Sequence, residues 1–389
     1  MSSENVFLRL LPITLAVFVG FLTIGLPLPV LPLHVHDTLG MSAVVVGIVV
    51  GCQFAAALLS RAWAGNLADL QGAKRAVVTG CIIATLSGGA YVVSLALVDQ
   101  PDLSVGMLLL GRLLLGCGES LIATGSLGWG IGLVGPHNAG KVMVWVGIAM
   151  YAAYGIGAPA GVALYAGYGF GGIALATTLT PVLALAIVAM LRPIAPAATR
   201  RVPFYKVLGA VWLPGLGLAF CSIGFGGMTA FIALLFAQRA WGDASLAFTA
   251  FGVAFIGARL LFGHLPDRLG GARVALVCVL IEAVGQFLIW GAEQTPLAYA
   301  GAALTGFGYS LAFPGFGVEA VRRAPPQSRA LAMGAYVAFL DVALGVGGPA
   351  TGLIANRFGV DAVFLAGAAV VACAMIIAAR LMAVPPRQV

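Results

Sequence analysis

Long apolar runs alternate with short polar breaks along the whole chain. A membrane-crossing helix needs about 20 mostly apolar residues. On that length the runs predict twelve spanning helices: 8–33, 42–66, 75–98, 104–128, 139–166, 170–191, 207–237, 245–263, 273–292, 297–320, 330–355 and 360–382. The longest cytoplasmic break, 192–206, is Arg-rich and contains proline. It divides the spans six and six, so the expected organisation is an N-terminal half 1–191, a linker 192–206 and a C-terminal half 207–389. The first run is too long for the apolar region of a cleavable signal, and further spans follow at once, so it reads as span 1.

Composition agrees with this pattern. The chain has 389 residues, 61% of them hydrophobic and 8% charged, where a soluble domain carries roughly a quarter charged residues. The net charge of +7 suggests nucleic acid at first sight, but the charges sit in the breaks and are read as topology signals. With a cytoplasmic N-terminus, that side holds Lys74, Arg75, Lys141, Arg192, Arg200, Arg201, Lys206, Arg268, Arg273, Arg322, Arg323 and Arg329. The opposite side holds Arg239 and Arg357. Both termini are therefore expected inside, at the cell inner membrane. Cys52, Cys81, Cys117, Cys221, Cys278 and Cys373 all fall in apolar runs without metal spacing and read as small core hydrophobes. No cofactor and no metal are expected.

The two halves repeat each other. Arg61, Gly65, Leu67, Asp69, Gly72 and Arg75 recur as Arg259, Gly263, Leu265, Asp267, Gly270 and Arg273, at an offset of 198. At an offset of 190, Gly116, Gly118, Ser120 and Leu121 recur as Gly306, Gly308, Ser310 and Leu311, and Gly155, Gly157 and Pro159 as Gly345, Gly347 and Pro349. Two six-helix halves in the same orientation are a described transporter architecture.

Gly65-x-x-x-Asp69-x-x-Gly72-x-Lys74-Arg75 resembles the loop 2–3 signature of the major facilitator superfamily, with Leu70 where that family usually has Arg; the second copy carries Arg268 there. Pro29-Val-Leu-Pro32, Arg112-Leu-Leu-Leu-Gly116-Cys-Gly118 and Gly157-Ala-Pro159-Ala-Gly161 are similar to motifs of its drug–proton antiporter branch, the last with Ala158 in place of Gly. Span 11 has the cleaner Gly348-Pro349-Ala-Thr-Gly352. Gly111 to Leu121, followed by Trp129-Gly-Ile-Gly-Leu-Val-Gly, resembles the YhhS/YfcJ-type efflux proteins, which often carry arabinose or sugar efflux labels. The resemblance implies an all-α membrane fold of twelve helices in two pseudo-symmetric halves, acting as a monomer in the lipid bilayer. It also implies a substrate pocket between spans 1, 4, 7 and 10.

The signature reads as a conformational latch: Gly65, Asp69, Gly72 and Arg75 in one half, and Gly263, Asp267, Arg268 and Gly270 in the other. Gly65 and Gly263 are expected to let helix backbones approach. The two aspartates would accept from helix N-termini near Ser328 and Ala139. The bland alternative is a solvated, topology-setting turn. Charges inside spans are costly and tend to be functional. They are Arg112 and Glu119 two turns apart in span 4, Glu282 in span 9 and Asp341 in span 11. In the repeat the counterpart of Glu119 is Tyr309 and that of Asp341 is Tyr151, so these acids are not scaffold. All four are proton-coupling candidates. Against this stand a helix–helix pair for the acids, a groove-facing Glu282 and an Arg112 that snorkels outward. Gln53, Phe21, Phe225, Phe231, Tyr309 and Phe313 are pocket candidates. Glu319 and Arg322 read as helix support or a latch extension, and His34 and His36 as exposed loop histidines. Gly157, Pro159, Gly161, Gly348, Pro349 and Gly352 read as close-packing helix motifs.

The leading expectation is a secondary active transporter, proton-coupled, exporting small organic compounds by alternating access. The alternative is a proton symporter or uniporter for uptake of a sugar, amino acid or organic acid. No catalytic constellation or nucleotide loop points to an enzyme.

Overall fold

The computed structural model describes residues 3–135, 138–194, 205–324 and 329–383. Among the described residues every regular element is helical, and ten helices are long and apolar enough to cross a membrane. One of the ten lies in Ala139–Met190, which breaks at Gly169 (φ 61) into two spans. A further helix, Thr295–Arg323, has the length but a lower mean hydropathy. Counting the break and this helix gives twelve long helices. In chain order the spans are Ser3–Gly25, Ala43–Gln71, Ala73–Leu95, Pro101–Val134, the two parts of Ala139–Met190, Tyr205–Arg239, Ser245–Phe262, Gly271–Trp290, Thr295–Arg323, Arg329–Phe358 and Asp361–Ala383. Most of the linker 192–206, including Arg200 and Arg201, lies outside the described residues, as does Ser328.

Span 1 is shorter than the apolar run. Its helix stops at Gly25 rather than continuing to Leu33, because Pro27 and Pro29 lack the N–H that the next turns require. The chain re-forms a short helix at Leu31–Leu33 and one π-turn at His34–Thr38. That turn corrects the reading of His34: it is 2% exposed, and its ring stacks on Phe170 at 3.9 Å between centroids. His36 is half-buried and its Nδ1 lies 2.8 Å from the Met41 carbonyl.

The chain forms two compact units. The first comprises Met1–Met41 and Cys52–Thr199, and the second Ser42–Gly51 and Arg200–Val389. The opening turns of span 2 thus cluster with the second unit. There, added methyl groups at Gly47 and Gly348 would each collide with the other residue's carbonyl, and one at Gly51 would lie 3.1 Å from the Pro349 ring. Gly352 approaches the Ala43 carbonyl, at 2.7 Å from an added methyl. In the first unit, Gly157 and Gly161 of span 5 meet the backbone of Gly25 and Leu26 in the same way. The Gly-Pro stretches are therefore packing faces, where only the missing side chain allows backbone contact.

Side-chain size is sorted accordingly. Glycine, alanine and serine fill the seams between helices, while Leu59, Leu86, Val253 and Ile376 point outward, where lipid supplies the apolar contact. Three cysteines behave as expected of core residues; Cys52 and Cys117 are half-buried, and Cys373 is exposed on its helix, against that expectation.

The signature loops share one backbone device. Gly72 (φ 98, ψ 143) and Gly270 (φ 94, ψ 136) each stand immediately before a helix, in a region open to glycine alone among common residues. Gly65 behaves otherwise than expected. An added methyl there meets nothing within 4 Å, and one at Gly263 meets only Arg259 of its own helix. Neither mediates a close helix approach among the described residues.

Candidate functional site

In the first unit, the polar chemistry gathers along span 4. Glycine spacing brings span 2 against it: Gly116 lies against the Gln53 carbonyl, and an added methyl would be 2.9 Å from Ala56 Cβ. That contact aims Gln53 at the next turn, where its Nε2 donates to Glu119 Oε2 at 2.6 Å. Gln53 is wholly buried, its Oε1 has no hydrogen-bond partner, and Glu119 is half-buried.

Arg112 lies two turns along the same helix and is 2% exposed, so it does not snorkel to the surface. Its charge acts on Cys52, Tyr91 and Tyr154. Tyr154 also feels Glu119 and Tyr151, and its ring meets Tyr151 edge-on at 5.5 Å and Phe21 at 6.3 Å. The first unit thus brings Arg112, Glu119, Gln53 and Phe21 together. It adds Tyr91, Tyr151 and Tyr154, which apolar composition alone did not distinguish from core.

The second unit carries an aromatic cluster at the equivalent place. Phe225 stacks on Tyr309 at 5.4 Å, and Phe251 and Phe255 lie 6.4 and 6.2 Å from the Tyr309 ring. The Ser222 and Tyr309 hydroxyls are 3.4 Å apart. Arg259 sits over Phe255 at 4.9 Å and donates to the Ser310 carbonyl at 3.0 Å. Phe313 meets Tyr336 edge-on at 5.7 Å, whereas Phe231 is buried and makes no ring contact with this cluster among the described residues.

The repeat offsets explain the correspondence. Gln53 matches Phe251 and Glu119 matches Tyr309. Gly116 packs on Gln53, and Gly306 packs on Phe251 in the same manner. One scaffold therefore presents an amide–carboxyl pair in the first half and an aromatic pair in the second. Phe251 was missed because its role follows from the repeat register, not from its own neighbours in sequence.

Asp341 is 3% exposed in span 11. Glu282 corrects the groove-facing alternative: it is wholly buried among spans 7, 9, 10 and 12 of the second unit. At the signature loops, Asp69, Arg75, Asp267 and Arg268 are all exposed. Lys74 bonds the carbonyls of Ala189 (3.0 Å) and Leu191 (2.5 Å), neutralising the negative end of the span-6 helix. Glu319 accepts from Ala272 N–H at 3.3 Å and pairs with Arg323, which also donates to the Leu381 carbonyl. Its contact with Arg322 is looser, at 3.8 Å. These are helix-end supports.

The Major Facilitator Superfamily model matches residues 13–242 and 215–389. The chain is 46% identical over 364 residues to an MFS-type transporter of Pseudomonas aeruginosa, covering 94% of this chain and 90% of that one. It is 42% identical over 387 residues to the MFS-type transporter YhhS of Escherichia coli (strain K12), covering 98% and 94%. Among solved structures it resembles the nucleoside transporter NupG, with TM-score 0.69 at 18% identity over 96% and 98% of the two chains. It also resembles the human organic anion transporter MFSD10, with TM-score 0.71 at 14% identity over 97% and 100%. With a matching family model, close relatives along nearly its whole length and this helical architecture, the chain belongs to the Major Facilitator Superfamily of membrane transporters.

Proposed function

We propose that this transporter is a proton-coupled exporter of small organic compounds, with Glu119 as the proton-carrying group. The observation that carries the reading is the 2.6 Å bond from Gln53 to Glu119, with Arg112 buried two turns away on the same helix. A glutamine suits both states of a carboxyl. Its Nε2 donates to the carboxylate, and after amide rotation its Oε1 accepts from the acid. Gln53 Oε1 is unpartnered and free for that second role. Arg112 supplies a fixed positive charge two turns away on the same helix. Proton binding at Glu119 and substrate binding then exclude each other, and inward proton flow drives export.

The aromatic cluster of Phe225, Phe251, Phe255 and Tyr309 supports a flat, largely apolar substrate. In this reading the halves 1–191 and 207–389 alternate in access, with Asp69 and Asp267 latching one state. Asp341 is a second coupling candidate. In this reading the protein works as a monomer in the inner membrane, and its charge bias supports cytoplasmic termini.

The test is transport in proteoliposomes with an internal pH-sensitive dye, across a panel of apolar aromatic and sugar compounds. Wild type should move protons against an active substrate. Glu119→Gln should exchange substrate without moving protons. Proton flux unchanged in Glu119→Gln sinks the assignment.

A further inference from the structure

The second unit holds a carboxyl that the scaffold does not require. Glu282 and Gln286 stand one turn apart on span 9, both wholly buried. At the repeat offset of 198 their counterparts in span 3 are Ala84 and Gly88. Two small packing residues in one half are thus replaced by an acid and an amide in the other.

Three helices make room for them. A methyl added at Gly224 of span 7 would lie 2.9 Å from Glu282 Oε1 and 3.4 Å from Gln286 Cδ. One at Gly308 of span 10 would lie 2.8 Å from Glu282 Cβ, and one at Gly367 of span 12 would lie 2.8 Å from Gln286 Oε1. Each of these helices thus approaches the pair through a glycine. Glu282 Oε1, Glu282 Oε2 and Gln286 Oε1 all lack a hydrogen-bond partner, while Gln286 Nε2 donates to Thr305 Oγ1 at 3.2 Å. The titratable groups facing Glu282 are the thiols of Cys221 on span 7 and Cys278 one turn back on span 9. No cation faces it among the described residues.

A bare carboxylate in this place has no hydrogen-bond donor to compensate it. Three unpartnered oxygens and no donor lack one hydrogen. A carboxylic acid would supply it: Gln286 is one turn along from Glu282 on the same helix face, both side chains border Gly224, and the amide is already anchored to Thr305.

We propose that Glu282 is a proton-binding site of the second unit, with its proton shared with Gln286 and anchored through Thr305. This site stands independently of Glu119, which belongs to the other unit. The Glu282 acid is distinguishable by infrared spectroscopy of the purified protein in lipid at neutral pH. Wild type should show a carboxylic-acid C=O band, Glu119→Gln should keep it, and Glu282→Gln should lose it. Gln286→Leu should shift that band without removing it, a result that does not depend on Glu282→Gln folding. A spectrum with no acid band, or one unaltered by both Glu282→Gln and Gln286→Leu, overturns the proposal. So does sodium raising the unfolding midpoint of wild type but not of Glu282→Gln, which would put a metal cation where the proton is placed. Because Glu119→Gln is read separately, failure of the export reading leaves this result intact, and the reverse.

Discussion

Gly88 and Gly89 are adjacent in span 3, yet alanine at the two positions should shift stability in opposite directions. A methyl at Gly88 would lie 2.5 Å from both Cα and Oγ1 of Thr178 on span 6, whereas one at Gly89 meets nothing within 4 Å. Both substitutions gain the same helix-propensity term, about 0.5–1 kcal/mol. At Gly88 the contact is with backbone, about 1 Å inside ordinary van der Waals range, so span 3 must move off span 6. Overpacking costs roughly 1–3 kcal/mol, and a contact this short with backbone belongs to the upper part of that range, about 2–3 kcal/mol. Gly89→Ala should therefore stabilise by up to about 1 kcal/mol, and Gly88→Ala should destabilise by about 1–2 kcal/mol. The separation, about 2–3 kcal/mol, is thirty-fold or more in the folding equilibrium. Equilibrium unfolding of purified protein in mixed detergent micelles, followed by tryptophan fluorescence, resolves it. Equal shifts at the two positions, or a Gly88→Ala protein as stable as wild type, would refute the packing of spans 3 and 6 at this depth.

Other consequences are independent of that seam. Alanine at Gly72 or Gly270 places a side chain in left-handed backbone, and each should cost about 1–2 kcal/mol in the same unfolding assay; no loss at either would contradict the shared loop geometry. Burial pushes the His34 imidazole down to about 4 from its ordinary 6.5, and it lies beyond the end of the span-1 helix. The unfolded chain therefore takes up a proton first as pH falls. Stability contributed by neutral His34 is fully present above pH 6.5 and drains away as pH falls to about 4, by on the order of 3 kcal/mol in all. His34→Gln should flatten that part of the stability–pH curve, and an unchanged slope would count against a buried, neutral ring.

Much of the architecture was legible because the bilayer imposes one strong rule: every backbone polar group must be satisfied within the segment. Apolar length alone then marks helices, and the Gly169 break falls between the predicted spans 139–166 and 170–191. The rule reads length and not continuity, so the run to Leu33 was extended past the prolines that end its helix at Gly25. It is also silent about depth. His34 reads as a loop residue until Phe170, from the distant break between spans 5 and 6, is seen to cover it.

By itself the sequence determined the twelve spans, the internal repeat and the charges that break its symmetry. Each is a property of local composition or fixed spacing. Tertiary structure alone decided what those charges meet. Glycine seams set which helices come within backbone contact, and that places Gln53 on Glu119 and closes four helices around Glu282. The same offset that aligns Gln53 with Phe251 carries no hint that one bonds a carboxyl and the other packs on a ring. That difference arises only where helices distant in sequence share a surface, because contact depends on side-chain direction and on the space that missing side chains leave.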